Sequence, residues 1–330
     1  MLHFMQNIFH PVEIRRACGV TGQEGEAMLQ DSIIYVDRYI CFESLRADTP
    51  EAYAECAHWQ NPYFNNANTI LVFMHGRWSA TIEGSRYTFV PGELCLLKRL
   101  EGLYLQPIEF PCAFQRISFS PHYFHVIDPQ ELLCHVFDFR DFGVGNRITS
   151  VQYDSSRLQT NLRAIIAESE VERRRISLVI TLAELLKDLM RLDLSTTIDT
   201  RPEEVRHIIT FLNEHFGEDV DTNQLARQVY VSRTKLARLV KEYTGCTIWD
   251  YILNKRILRS VQLLHSGMPN QEAARAVGFK NYSTFYKAFQ RILGITPTVE
   301  RPTATEDPLL THFYDADAAK RWLREIYGDD

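Results

Sequence analysis

The feature that most constrains the fold is an internal repeat in the C-terminal third of the chain. Leu225–Val229 resembles Ala273–Val277 at an offset of 48 residues. Beyond these segments the offset becomes 49, and the matching pairs are Leu236 with Phe285, Val240 with Phe289, Gly245 with Gly294 and Thr247 with Thr296. One extra residue in the second turn explains the change. Each unit is expected to form a short helix, a tight turn and a longer helix, which is the helix-turn-helix pattern rather than a generic helical hairpin.

The same segment carries a positive charge that the whole chain does not. The chain has 36 Lys and Arg against 42 Asp and Glu, a net charge of −6. Residues 221–300 hold twelve cations and five anions, so this stretch is +7 and the rest is −13. A basic module on an acidic body indicates nucleic-acid contact by one part only, because phosphates are neutralised by clustered Lys and Arg. The alternative is a solvated helical surface.

Residues 33 to 120 show the pattern of short strands. Gly and Pro turns separate the apolar or alternating runs Ile70–Met74, Trp78–Ile82, Tyr87–Val90, Leu94–Leu97 and Phe114–Phe119. Short strands at this spacing predict a small antiparallel barrel or jelly roll.

From about Ser155 the apolar residues recur every three or four positions, which is the spacing of one face of a helix. One stripe consists of Leu158, Leu162, Ile165 and Ile166, and a second of Ile176, Val179, Ala183, Leu186 and Leu189. These stripes cover the barrel or face another subunit, and the pattern alone does not decide between the two. Thr196–Pro202 is the predicted linker, with Pro202 in the first turn of the next helix.

Many spaced positions in the C-terminal segment match one family. They are Leu225–Ala226, Val231–Ser232, Leu236–Lys241, Thr244–Gly245, Tyr251–Ile252, Arg256, Leu263–Leu264, Ala273–Ala274, Val277–Phe279, Ser283, Phe285, Phe289 and Gly294–Pro297. Over these residues the chain resembles the AraC/XylS family of bacterial transcription regulators. Through Ile82–Gly84 and Val90–Glu93 the N-terminal half is similar, more weakly, to the cupin-type effector domain of many members.

The sequence departs from the family pattern at two places. Tyr230 stands where members usually have Gly in the first turn. A bulky residue at positive φ is strained by roughly 1 kcal/mol or more, so we expect this turn to be remodelled. The extension Pro302–Asp330 is no part of the family pattern and is expected to be helical.

The resemblance implies DNA-reading residues on the exposed front of the second helix of each unit. These are Arg233, Thr234, Ala237 and Arg238 in the first unit and Asn281, Tyr282, Ser283 and Lys287 in the second. Arg238 is best placed to read guanine bidentately, whereas Arg233 suits a phosphate equally well. Asn281 or Ser283 could read a base edge, and Lys287 a phosphate or a guanine.

The helix between the two units sets how far apart they can read DNA. A helix from about Ile248 to His265 is about 27 Å long at 1.5 Å per residue. Recognition helices joined to its ends could therefore reach successive major-groove segments, which recur every 34 to 36 Å or so on one face of DNA.

The predicted barrel contains residues suited to a small-molecule pocket. The candidate effector-binding residues are Trp59, Tyr63, Trp78, Arg77 and Arg116, since such pockets combine apolar walls with a few orienting polar groups. The His and Glu set of metal-dependent cupins is missing, because no His lies between Trp59 and Met74 or between Gly92 and His122. We therefore expect no metal, no cofactor and no enzymatic activity.

Together these features predict a multidomain α+β protein. The expected parts are a cupin-like β-barrel effector domain over 1–155, a helical connector and dimerisation region over 156–200, an all-α double helix-turn-helix domain over 201–301 and the extension 302–330. The expected partners are double-stranded DNA, a small-molecule effector such as a sugar or other metabolite, and a second copy in a homodimer, with RNA polymerase as a further candidate. The alternatives are a cupin enzyme fused to a DNA-binding domain and a regulator controlled by a protein partner.

The composition favours the cytoplasm. No run of about 18 uncharged apolar residues is present, and Met1–Pro11 lacks the pattern of a signal peptide. The seven cysteines are scattered and include no Cys-x-x-Cys pair, which favours reduced thiols. We therefore expect a cytoplasmic protein without membrane contact.

Overall fold

The structure is a computed structural model with β-rich N-terminal and helical C-terminal regions. It describes residues 29–36, 39–55, 62–64, 66–124, 127–130, 132–138, 140–192, 194, 199–293, 296 and 297. Trp59 and the predicted C-terminal extension lie outside the described residues.

The described strands form two antiparallel sheets. They are β1 (Leu29–Val36), β2 (Ile40–Ala47), β3 (Tyr63–Phe64), β4 (Asn68–His75), β5 (Trp78–Ile82), β6 (Ser85–Phe89), β7 (Leu94–Leu97), β8 (Gly102–Pro107), β9 (Cys112–Phe119) and β10 (Arg147–Ile148). The larger sheet has the order β1-β2-β9-β4-β7-β10 and the smaller one the order β3-β8-β5-β6. The predicted barrel is therefore wrong, because among the described strands the two sheets do not pair with each other and neither closes on itself. The alternative of a jelly roll stays a prediction.

The larger sheet is buried on both faces, which explains why β4 is a nearly continuous apolar run. Leu71 and Phe73 face the smaller sheet, where they pack with Trp78. Ile70 and Val72 point to the opposite face and pack with the helices that cover it. A strand that is covered on both faces loses the usual alternation of polar and apolar residues.

Ten described α-helices accompany the sheets. They are α1 (Pro50–Ala54), α2 (His135–Asp138), α3 (Ser156–Ala167), α4 (Val171–Leu189), α5 (Glu203–His215), α6 (Thr222–Gln228), α7 (Arg233–Thr244), α8 (Ile248–His265), α9 (Asn270–Ala276) and α10 (Tyr282–Leu293). The helix predicted between the two units coincides with α8. Pro202 is the N-cap of α5 and precedes its first turn. No helix in the described part of the chain has the length and apolar character needed to cross a bilayer.

The helices α3 and α4 cover the outer face of the larger sheet. Leu182 and Leu186 on α4 are fully buried there, so Leu186 packs within its own chain instead of facing another subunit. Ile176 and Ile180 lie on the opposite side of α4 and are half exposed. The helix pair therefore packs on the sheet and also presents an apolar strip to solvent.

A buried ion pair fixes the loop that follows α2. The Arg140 guanidinium donates to both Glu101 carboxylate oxygens, at 2.8 and 2.7 Å, and the Asn146 side chain donates to the same carboxylate at 3.0 Å. Burial raises the pKa of Glu101, but the charge and hydrogen bonds of Arg140 outweigh that effect and leave this pKa below its ordinary value. Glu101 is therefore ionised, and its charge is matched inside the domain.

Candidate nucleic-acid interface

The first helix-turn-helix unit consists of α6 and α7. Asp221 caps α6 by accepting a hydrogen bond from the backbone N–H of Asn223, and Ser232 caps α7 by accepting one from Lys235. Short polar side chains at these positions satisfy N–H groups that have no partner within the helix. Leu236 on α7 is fully buried, so the opposite side of this helix faces solvent.

The second unit consists of α9 and α10, and it repeats this arrangement with a turn that is one residue longer. Asn281 caps α10, because its side-chain oxygen accepts hydrogen bonds from the Thr284 backbone at 2.9 Å and the Thr284 hydroxyl at 2.6 Å. Phe285 and Phe289 are fully buried, as are their repeat partners Leu236 and Val240 in the first unit. Four residues separate α6 from α7 and five separate α9 from α10, so the predicted extra residue in the second turn is confirmed.

The two turns have the same backbone hydrogen bonds. In the first, the N–H of Tyr230 donates to Arg227 at 3.2 Å and that of Val231 donates to Ala226 at 2.9 Å. The second turn contains the equivalent bonds Gly278 to Arg275 at 3.0 Å and Phe279 to Ala274 at 3.0 Å. The expectation that the first turn is remodelled is therefore wrong.

The surroundings of the turns explain why Tyr is accepted in one and Gly is needed in the other. Tyr230 has a φ of 54° and Gly278 a φ of 88°, so both are left-handed. A Cβ on Gly278 would lie 2.3 Å from the carbonyl oxygen of Gly217, whereas the Tyr230 side chain is 96% exposed. Tyr230 carries the strain of a left-handed backbone but meets no steric obstacle.

The structure leaves most of the predicted DNA-reading residues accessible. Arg233, Thr234, Ala237, Arg238, Asn281, Ser283 and Lys287 are exposed, and Tyr282 is half-buried. Within the described residues, Arg233, Arg238 and Lys287 form no ion pair. The Tyr282 ring lies 5.7 Å from the Phe285 ring, so part of its surface belongs to the core.

A groove with a basic lining runs between α7 and the start of α8. Its volume is about 450 Å³, and its walls include Arg233, Arg238, Lys241 and the exposed Trp249. Three cations beside a half-exposed indole form a surface suited to a phosphate backbone.

Two of the cations counted in the basic segment have structural roles. The Arg256 guanidinium donates to three backbone carbonyls, at 2.6 Å to Phe216, 2.6 Å to Glu218 and 3.0 Å to Gly278. Lys255 is fully buried and donates to Glu83 at 2.7 Å. Sequence reasoning missed these roles, because a Lys-Arg pair in a basic helix has the same pattern whether it faces solvent or the interior.

The described effector-binding candidates lie in three different surroundings. Tyr63 and Arg116 come together, with the guanidinium 4.9 Å from the centre of the Tyr63 ring. Trp78 is fully buried between the sheets, where its indole N–H donates to the His75 carbonyl at 3.0 Å. Arg77 lies at the surface and forms an exposed ion pair with Glu109 at 3.4 Å.

The Tyr63 and Arg116 pair belongs to a buried polar cluster that the sequence did not indicate. Glu43 lies directly opposite Arg116 in the strand register and forms an ion pair with it. Burial alone would lower the pKa of Arg116, but Glu43 raises it above its ordinary value, so the guanidinium is charged. On the same face of the larger sheet, the Thr69 and Ser118 hydroxyls form a hydrogen bond of 2.7 Å. Among the described residues, no three His, Cys, Asp or Glu side chains are grouped to hold a metal ion.

Comparison with known proteins identifies the C-terminal units. The family model described as "Helix-turn-helix domain" matches residues 225–302. Residues 225–302 form an AraC-type helix-turn-helix domain. The chain is similar to the transcriptional regulator GbdR of Pseudomonas aeruginosa, with 32% identity over 116 residues that cover 35% of this chain and 32% of GbdR.

Two further proteins are similar to this chain, one over 72% of its length and one over 30%. The Msm operon regulatory protein of Streptococcus mutans is 22% identical over 244 residues, covering 72% of this chain and 84% of that protein. An AraC-type transcriptional regulator structure from Chromobacterium violaceum shares 29% identity over 30% of this chain and 88% of that one, with a TM-score of 0.28. The chain spans about a third of the length of GbdR.

Proposed function

We propose that the protein binds double-stranded DNA through both helix-turn-helix units and thereby regulates transcription. The observation that carries this proposal is the repetition of one unit, with matching turns, on a basic segment. Arg233 and Arg238 project from the first unit and Lys287 from the second, and none of these cations is neutralised by a described neighbour. The similar proteins GbdR and the Msm operon protein are both named as regulators.

The first unit has the more complete reading surface. Thr234 and Ala237 are small, so α7 can approach base edges closely between the two arginines. Arg238 is proposed to donate two hydrogen bonds to one guanine, and Arg233 to contact a phosphate at the start of the helix. The groove beside α7 would receive the phosphate backbone next to Lys241 and Trp249.

The second unit is proposed to rely on Ser283 and Lys287 more than on Asn281. The Asn281 side-chain oxygen is already an acceptor in the α10 cap, so only its amide N–H groups remain to face a base. Lys287 lies one turn further along α10, where it can reach a phosphate or a guanine. Discrimination between bases is therefore expected to come mainly from the first unit.

Binding titrations on selected and scrambled duplexes at several salt concentrations test these roles. Arg238→Ala should weaken the selected site by about 1 to 3 kcal/mol and relax the preference at one base pair. Lys287→Ala should weaken all duplexes similarly and reduce the salt slope by about one unit. Arg163→Ala, which removes an exposed cation from α3, is the matched control and should change neither quantity. Equal binding by all four proteins would refute the proposed DNA surface.

The sheet domain is proposed to be a cupin-like sensor of a small molecule. Support comes from the buried cluster of Glu43, Tyr63 and Arg116, which places hydrogen-bonding and charged groups in an otherwise apolar core. A ligand with a polar group, such as a sugar or another metabolite, would be oriented by such groups.

A thermal-shift screen of metabolites tests the sensor proposal, since a ligand of the native state must stabilise it by about 2.7 kcal/mol at 100 times its Kd. Tyr63→Phe should reduce the shift, whereas Arg46→Gln, at an exposed ion pair, should leave it unchanged. A protein partner that stabilises the sheet domain when no metabolite does would contradict small-molecule sensing.

A further inference from the structure

The tip of the β5–β6 hairpin is buried against the DNA-binding half of the molecule. Glu83 in this turn is 2% exposed, and its carboxylate accepts a hydrogen bond from the Lys255 ammonium at 2.7 Å and from the Asn213 amide at 3.0 Å. The Tyr251 hydroxyl donates to the same carboxylate. Glu83 therefore has three partners on α5 and α8, all in the other domain.

The hairpin itself is held so that Glu83 cannot turn away. The Gly102 backbone N–H donates to the Glu83 carboxylate at 2.6 Å, and Arg201 donates to the Glu83 carbonyl at 2.9 Å. Glu83 and Gly84 have φ values of 48° and 85°, the left-handed pair that a two-residue hairpin turn requires, so the turn itself fixes the backbone of Glu83. At the neighbouring Gly84, a Cβ would lie 3.0 Å from Val205, so the turn is pressed directly against α5.

The Glu83–Lys255 ion pair differs from a second ion pair between the two domains. Lys255 and Glu83 are fully buried, and Lys255 also donates to the Leu100 carbonyl. By contrast, Arg86 and Glu242 form an ion pair at 2.8 Å whose side chains are about half exposed. An exposed pair contributes little to stability, whereas removal of one partner from a buried pair leaves an unpaired charge in the interior. That charge regains water most easily if the domains separate.

The neighbouring residue connects this contact to the second helix-turn-helix unit. Lys255 contacts the sheet domain, and the adjacent Arg256 donates to the carbonyl of Gly278 in the turn between α9 and α10. Tyr251, one helical turn earlier, packs its ring 5.6 Å from that of Phe64 in the sheet domain. The middle of α8 is thus attached to the sheet domain on one side and to the second unit on the other.

We infer that Glu83 and Lys255 are positioning residues that dock α8 in one orientation on the sheet domain. Since α8 joins the two units, the docked ion pair fixes how the sheet domain lies relative to both recognition helices. This inference rests on the proposed function for its biological meaning, but the docking itself can be measured without DNA.

Hydrogen exchange and small-angle scattering of the full chain test the inference. Glu83→Gln and Lys255→Met should each raise amide exchange at least tenfold in the β5–β6 turn, α5 and the middle of α8, and should enlarge the radius of gyration. Exchange in β4 and β9 should stay unchanged, since undocking leaves the sheet domain folded. The double variant has no unpaired charge and should lie closer to wild type than either single variant. Arg86→Gln, at the exposed pair, should change exchange by less than about twofold.

Three outcomes would overturn the inference. Unchanged exchange in both single variants would show that the ion pair does not hold the domains together. Exchange that rises equally in β4, β9 and the interface would show a general stabilising role, and additive effects in the double variant would show that the two residues are not coupled. A separate titration on a selected DNA site distinguishes these failures from failure of the proposed function, because selective binding by wild type does not depend on the docking result.

Discussion

Replacement by alanine should destabilise the turn of the second helix-turn-helix unit and leave the equivalent turn of the first unit almost unchanged. Gly278→Ala places a Cβ 2.3 Å from the backbone oxygen of Gly217, which must move to make room. Accommodation of such an overpacked atom costs about 1 to 3 kcal/mol. The left-handed backbone at φ 88° adds about 1 to 2 kcal/mol for any residue with a Cβ. We therefore expect Gly278→Ala to reduce the stability of the second unit by about 2 to 5 kcal/mol.

The matched control is Tyr230→Ala in the first turn. Its backbone strain is already present in the wild type, and the lost ring is 96% exposed, so stability should change by no more than about 0.5 kcal/mol. Tyr230→Gly removes the strain but gives the unfolded chain more freedom, so its net effect should be a gain of about 0 to 1 kcal/mol.

Hydrogen exchange of the full chain measures these effects separately in each unit, which a single unfolding midpoint of a two-domain protein does not. Peptides from α9 and α10 report on the second unit, and those from α6 and α7 report on the first. The reasoning would be refuted by a Gly278→Ala protein that is as stable as wild type, or by a Tyr230→Ala protein that loses as much stability as Gly278→Ala.

Three further predictions concern other parts of the molecule. In Arg256→Lys a single ammonium cannot reach the three carbonyls that the guanidinium contacts from three different nitrogens, so urea unfolding should show a loss of about 1 to 3 kcal/mol as partly buried acceptors lose a charged donor. Glu101→Gln leaves Arg140 unpaired and should cost about 3 to 5 kcal/mol at pH 7. The pKa of Glu101 is lower in the folded protein than its ordinary value, so ionised Glu101 stabilises the folded state fully above about pH 4.3, the ordinary pKa of a glutamate. This stabilisation is lost as the pH falls through the folded pKa. Urea unfolding at decreasing pH should therefore show wild type and variant converging, and a constant difference would contradict the assignment. Ile180→Asp should produce monomers in sedimentation experiments if the exposed strip on α4 joins two copies, and an unchanged oligomer would remove that role.

The sequence was most informative where one apolar period continues over a whole element. The bounds of α8, β5 and β7 follow directly from their runs of apolar residues. The strand β8 (Gly102–Pro107) was missed, because only Leu103 and Leu105 are buried in it and it ends at a proline. Sheet closure was predicted wrongly because strand pairing depends on contacts between distant segments, which local periodicity does not record.

The candidate DNA surface could be located from the repeat, whereas the domain contact could not. On the second helix of each unit the apolar residues recur on one side, so the cations on the other side could be predicted to be exposed. Lys255 was counted only as one of the twelve cations of the basic segment, because nothing in its helix indicates that Glu83, 172 residues away, faces it. Asn281 was assigned to base reading for a similar reason: its role as a helix cap appears only when the start of α10 is fixed.

A hydroxyl-radical footprint on a selected DNA site tests the central claim most directly. The two recognition helices are joined by the 18 residues of α8, a length of about 27 Å, and should enter successive major-groove segments. One protein chain is therefore predicted to protect two segments on the same face of the duplex, about 10 base pairs apart, and Arg238→Ala should weaken protection of one of them first. Protection of a single segment, or of two segments on opposite faces, would contradict the claim that both units bind DNA together.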